Sequence, residues 1–348
     1  MKTYLTTMMM TALGIFTLAP HTPSAEAAPL KKSLCVYDPG GESGDFYALM
    51  KEYQLGVLGL KQAGEEGRVQ FDLKAYTDEQ TAFDDFKAKK CDAVVITGTR
   101  ARSLQRFSGS LEAMGALPDY KQLKTVIKSL SSAKAAKLMK SGEYESAGIA
   151  PGGAVYLYVA DRDLNTVEKL SGKKIATLSF DDAAKTMVKK IGASMISAEI
   201  STFAGMFNNG TVDACYAPAF AYKALELHKG IGAKGGVVRY PLAQVTLQVI
   251  IRSADFPADF PEASRKLIAK YTNKGIKAAK AAEKQIPAKH WIDIPKSDME
   301  RYDEMFLGVR VELRDQLKIY HPYALKLMRK IRCRADKSRA ECVGKSKE

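Results

Sequence analysis

The run SLCVYD (33–38), followed by GDFYALMKEYQLGVLGLKQAG (44–64), VQFDLKAY (69–76), EQTAFDDFKAKK (79–90) and CDAVVITG (91–98), decides the fold class. The short apolar runs read as strands, and the two longer segments carry apolar residues at helical spacing. Strands separated by helices build a mainly parallel sheet covered on both faces. A helical, basic stretch (105–140) follows, then a Gly/Pro-marked boundary at GIAPGGA (148–154). Beyond it the alternation restarts with VYLYVA (155–160), TVEKLSG (166–172), KKIATLSF (173–180), DDAAKTMVKKIGA (181–193), STFAGMFNNG (201–210) and VDACYAP (212–218). The strand-rich run VVRYPLAQVTLQVIIRS (237–253) is expected to return the chain to the first unit, and three helices, 261–285, 296–317 and 321–332, complete it. The expected organisation is α/β, with 28–153 as the first part of lobe I and 154–240 as lobe II. Residues 241–348 return to lobe I and add the C-terminal helices.

Residues 1–27 read as a cleaved signal peptide: Lys2 is the positive start, MMMTALGIFTLAP (8–20) the apolar stretch, and Ala25 and Ala27 the small residues at the cleavage site. The stretch is shorter than the ~20 residues a spanning helix needs. With 46% hydrophobic and 26% charged residues among 348, the chain is neither disordered nor polytopic. Its net charge of +14 calls for an anionic neighbour, and export makes nucleic acid a poor one. Basic helix faces such as Lys121, Lys124 and Lys128 are either solvated or turned to an acidic protein partner or anionic lipid.

An exported chain with five cysteines forms at most two disulfides. Cys333 and Cys342 sit close enough in the tail to bridge, and Cys35 and Cys91 lie on strand runs expected to be neighbours. Cys215 is then left over, as a buried small hydrophobe or, less simply, a nucleophile.

Catalytic and cofactor chemistry finds little support. Three histidines follow the signal segment, His228, His290 and His321, without metal-ligand spacing, so no metal is expected. In GESGD (41–45), Asp45 stands where a nucleophile elbow needs glycine, and Ser43 reads as a helix N-cap. GIGAKG (230–235) matches a dinucleotide fingerprint but follows a helix and leads into a strand, the reverse of what the pyrophosphate requires. It reads as a helix stop and turn, and no cofactor is expected.

Open α/β sheets bind ligands beyond the carboxyl ends of their strands. In the first unit those ends carry Asp38, Ser43, Asp45 and Tyr47, then Thr97, Thr99, Arg100 and Arg102. Free N–H groups there suit an anion, and either arginine could clamp it. In the second unit Phe180, Tyr216, Phe220 and Tyr222, with Tyr158 on the preceding strand, either sandwich an apolar or ring-shaped ligand or pack the hinge.

DRDLNTVEKLSGKKIATLSFDDAAKTMVKKIGA (161–193) and MFNNGTVDACYAPAFAY (206–222) resemble segments of TRAP-transporter (DctP-like) periplasmic receptors. With CVYDPGGESGDFY, CDAVVITGTR, SLEAMGAL, GGAVYLYV and the C-terminal IRC…EC pair, the chain resembles the AdeT-type solute-binding proteins, a group linked with resistance-nodulation-division (RND) efflux. The resemblance implies a type II periplasmic-binding-protein fold: two α/β lobes, a ligand cleft, C-terminal helices and no catalytic residues. Such a protein would capture a small organic ligand in the periplasm and deliver it to an inner-membrane transporter. The alternative is an adaptor of an RND-type efflux complex without a solute of its own. The positions aligned with the receptors' carboxylate-holding arginine and asparagine are Ala176 and Ala217. An uncharged or mixed apolar ligand is therefore expected, unless Arg100 or Arg102 supplies the charge.

Overall fold

The computed structural model describes residues 28–60, 69–343 and 348. The signal segment read at 1–27 and the end of the helix expected at 44–64 lie outside the described residues.

The described strands are β1 (Leu30–Tyr37), β2 (Val69–Tyr76), β3 (Ala93–Thr97), β4 (Lys140–Ser141), β5 (Tyr144–Val159), β6 (Lys174–Leu178), β7 (Ser194–Ala198), β8 (Ala214–Pro218), β9 (Gly236–Arg252) and β10 (Trp291–Ile292). They form one sheet in the order β2-β1-β3-β9-β5-β8-β6-β7, with β4 on β5 and β10 on β9. β1 is parallel to β2 and β3, and β6 is parallel to β7 and β8. Two parallel groups are thus joined by β5 and β9, which run antiparallel to each other and to their outer neighbours. Central strands covered on both faces need continuous apolar sequence. AVVI of β3 is wholly buried, and all of β5 after Tyr144 is buried, beneath the helices Phe260–Lys270 and Thr272–Lys284.

The lobe limits expected at 153/154 and 240/241 fall inside β5 and β9. GIAPGGA, read as a boundary, is thus mid-strand, and its Pro and Gly residues coincide with register shifts at Ser146/Gly148 and Pro151/Gly153. Proline and glycine are tolerated inside a strand where a bulge interrupts the ladder. The helix expected over 261–285 is two helices meeting at Tyr271, the end cap of the first and the start cap of the second. Gly275 sits there against Pro151, where a Cβ would come within 3.1 Å of the proline ring and its carbonyl.

The helix Lys296–Asp315 reaches across both groups of strands. Its Glu312 pairs with Lys190 at 2.8 Å and its Arg301 with Glu168 at 2.8 Å, while its buried Arg310 donates to the Met114 carbonyl at 2.8 Å. The disulfides Cys35–Cys91 and Cys333–Cys342 are both formed; Cys215 is free and buried.

Ser43 does not cap the helix Asp45–Leu58. Gly44 holds the cap position, and the helix N-terminus is satisfied from a distance by Asp38. Its Oδ2 accepts from the backbone N–H of Phe46 at 2.8 Å and of Tyr47 at 2.9 Å, and its Oδ1 from Gly40 at 2.8 Å. A Cβ on Gly44 would land 1.9 Å from that carboxylate. Gly44→Ala should therefore expel Asp38 and cost about 2 kcal/mol, the worth of its charge-assisted bonds to the helix start. An unfolding midpoint equal to that of the native chain would refute this.

Candidate functional site

The carboxyl ends of β1, β3, β6 and β8 face one another across a cavity of about 350 Å³. This is the position in which open α/β sheets hold small molecules, and the volume is at the lower end of the usual range for such sites. One side is lined by Tyr37, Phe46 and Tyr320, the other by Phe180, Phe203, Tyr216 and Phe220. Phe46 and Phe220 meet edge to face at 5.2 Å, so the two sides touch at the rim.

The polar part of the wall is built around the turn after β3. Glu79, fully buried at the start of the helix Glu79–Lys87, accepts from the Thr97 N–H at 2.6 Å and from Arg100 Nε at 3.1 Å. Arg100 also donates to Gln80 Oε1, and its guanidinium lies 3.7 Å from the Phe180 ring centroid. Its Nε and Nη1 are thus held by Glu79 and Gln80, and it is not among the residues that line the cavity.

Arg102, two residues on, does line the cavity. Its side chain is 9% exposed, and its Nη2 is 3.8 Å from Asp181 Oδ1, outside hydrogen-bonding distance. Its Nε is buried with no hydrogen-bond partner. Tyr320 lies beneath it, with the ring centroid 5.2 Å from the guanidinium carbon.

Glu112 accepts from the N–H groups of Gly98 (2.8 Å), Thr99 (2.7 Å) and Thr246 (2.6 Å), and from the hydroxyls of Thr99 (2.6 Å) and Thr246 (2.9 Å). Burial raises its pKa, against the pull of those donors and of Arg102. Gly98 is needed here because a Cβ would come within 2.7 Å of Glu112 and of the Thr246 hydroxyl. Asp181 caps the helix Asp182–Lys190, accepting from the Ala184 N–H at 3.3 Å.

Of the residues singled out from the sequence, Thr97, Thr99, Arg102, Phe180, Tyr216 and Phe220 come together on the wall. The others do not line it. Asp38 fills the helix N-terminus that was expected to take an anion. Ser43 and Asp45 are exposed at the helix start, and Tyr47 is a buried residue of that helix, with Lys51 over its ring at 5.4 Å. Tyr158 is fully buried and donates to the Pro218 carbonyl at 3.3 Å. Tyr222 is paired through its hydroxyl with His290 Nδ1 at 2.8 Å. Cys215 is fully buried, and burial pushes its thiol pKa well up, which removes the thiolate a nucleophile requires.

Tyr37, Phe46, Phe203, Glu112, Asp181 and Tyr320 were missed. Tyr37, Phe46 and Asp181 lie in or beside strand-end loops already read as candidates, so a wider window would have included them. Glu112 and Tyr320 carry no local signal.

A family model described as "Solute-binding protein AdeT 1/2" matches residues 60–346. The chain is 39% identical over 308 residues to the "Probable solute-binding protein AdeT1" of Acinetobacter baumannii, a match covering 88% of this chain and 99% of that one. Among solved structures, a TRAP periplasmic solute binding protein from Desulfovibrio salexigens with bound orotic acid aligns with a TM-score of 0.70 at 10% identity, over 87% of this chain and 99% of its own. One from Rhodoferax ferrireducens with bound malonate gives 0.69 at 13%, over 87% and 98%. The fold is thus that of the type II periplasmic binding proteins.

Proposed function

Because the chain belongs to the AdeT 1/2 family of solute-binding proteins, we propose that it captures a small organic molecule in the cavity between its two groups of strands and passes it to an inner-membrane transport system from the periplasm. Cleavage after residue 27 releases the chain there. Residues 28–153 with 241–348 form one lobe and 154–240 the other, and they close on the ligand by bending β5 and β9. Thr97, Thr99, Arg102, Phe180, Tyr216 and Phe220 contact it, and the protein is not an enzyme.

The observation that carries this reading is the cavity itself: about 350 Å³, lined by aromatic side chains from both sides and placed at converging strand ends. An adaptor that binds no solute has no need of such a space. No described helix is long and apolar enough to cross a membrane.

Thermal unfolding of the chain 28–348 against a metabolite library tests the proposal. A true ligand at a hundred times its Kd should stabilise the protein by about 2.7 kcal/mol. Phe220→Ala should weaken that ligand by roughly ten-fold through the lost aromatic contact. A library without a single stabilising compound, together with native mass spectra free of any bound small molecule, would sink the solute-binding reading.

A further inference from the structure

The charge on the cavity wall runs against the charge of the chain. The protein carries a net +14, yet the wall holds four carboxylates, Asp78, Glu79, Glu112 and Asp181, and one basic side chain, Arg102. Adding Arg100 from behind the wall, which neutralises Glu79 through the 3.1 Å contact, leaves the sum negative. Arg102 is itself compensated by Asp181 at 3.8 Å and by Glu112. In a partly enclosed space these charges are screened less than on the open surface.

The carboxylates are not equally committed. Glu79 and Glu112 spend both oxygens on protein donors. Asp78 accepts only through Oδ1, from the N–H and hydroxyl of Thr81, and Asp181 meets Arg102 only beyond hydrogen-bonding distance. These two therefore have charge left for a ligand.

From this we propose that the cavity selects a positively charged amphiphile, an amine or quaternary ammonium on an aromatic or alicyclic body, and discriminates against organic acids such as those bound in the similar receptors. The inference rests on the solute-binding reading and names the ligand class of the same site. In this reading the ammonium group pairs with Asp78 or Asp181, on a wall that also carries the aromatic rings of Tyr37, Phe203 and Phe220, whose π-electrons favour a cation over an anion. The body fills the apolar remainder. Arg102 lines the same cavity with its charge already compensated. Tyr37 reports the same field: burial first, then Glu79, Asp38 and Asp78, hold its phenol protonated.

The test uses three probes of one shape and different charge, 3-phenylpropylamine, 3-phenylpropan-1-ol and 3-phenylpropionate, titrated by calorimetry into the chain 28–348 at neutral pH. The amine should bind at least roughly ten-fold tighter than the acid. Asp181→Asn should remove most of that preference, since asparagine preserves the helix cap while removing the charge. If the acid binds tighter and Arg102→Gln abolishes its binding, the cavity is an anion site; the charge inference is then overturned while solute binding stands. Equal affinities for all three overturn it in the same way. If none binds at millimolar concentration the inference falls, and the library screen decides the solute-binding reading separately.

Discussion

Replacing Arg332 with methionine is expected to lower the unfolding free energy by about 3–5 kcal/mol, the usual penalty for removing one partner from a buried ion pair. Arg332 has no exposed surface. Its Nε donates to Glu341 Oε1 at 2.9 Å and its Nη1 to the Ala116 carbonyl at 2.7 Å, and it also holds Glu348. Arg310, equally buried, donates to Glu348 at 2.8 Å and to the Met114 carbonyl at 2.8 Å. Methionine fills the volume but takes one arginine from the carboxylate of each of Glu341 and Glu348, which Arg339 and Arg310 still hold, and removes the donor of the Ala116 carbonyl.

Chemical denaturation with linear extrapolation measures the loss, and a change below about 1 kcal/mol would sink the argument. The network also fixes a pH dependence. Burial alone would raise the pKa of Glu341, but hydrogen bonds from Arg339, from its own backbone and from Arg332 bring it down to about 2. A carboxyl depressed in the folded state stabilises fully above its ordinary range near 4.5 and loses that contribution as pH falls toward 2. In the Arg332→Met variant, stability should fall less steeply across that window. Because Met114 lines the cavity and Arg310 holds its carbonyl, the variant should also loosen the site.

The second large effect is expected at Cys35–Cys91. The bridge closes a loop with a sequence separation of 56, so its removal by Cys35→Ala/Cys91→Ala should cost about 4 kcal/mol through regained freedom of the unfolded chain. The tail bridge Cys333–Cys342 spans a separation of only 9 and should be worth nearer 3 kcal/mol. Measured side by side in denaturant, a reversed order would count against the loop-closure account. Alanine is the appropriate replacement because Cys35 and Cys91 are fully buried, and a serine hydroxyl would be stranded there. Cys215 supplies an internal check: it is buried, so alkylation of its thiol should follow global unfolding in both variants.

The sequence made the fold legible wherever apolar pattern and tertiary role coincide. β1, β3, β6 and β8 each stand out because parallel strands buried on both faces need near-continuous apolar residues; Cys35–Cys91 follows once β1 and β3 are neighbours, and Cys333–Cys342 from its short spacing in the tail. β7 went unread because SMISA is mostly exposed, an edge strand with no hydrophobic run. GIAPGGA, read as a boundary, lies within β5, where its proline and glycines coincide with bulges. At the site, TGTRAR contains both arginines, and nothing local distinguishes them. The difference is made by Glu79, which captures Arg100 and leaves Arg102 for the cavity. Glu112 and Tyr320 acquire their places only through long-range packing, Glu112 by accepting from residues on either side of β9 pairing and Tyr320 by lying under Arg102.

The joining of the two strand groups by β5 and β9 also sets the order in which the molecule can be finished. β3 has β9 as its neighbour, with Ala93 opposite Ile251, so during synthesis the earliest strands wait with one ladder edge unsatisfied until the later group and the returning strand have emerged. The part made first is completed last. Pairings of such long sequence separation form slowly, and an open edge is a template for wrong partners. The vulnerable period in the life of this protein is therefore the interval between the emergence of β3 and the arrival of β9, when a holding chaperone would have most to protect.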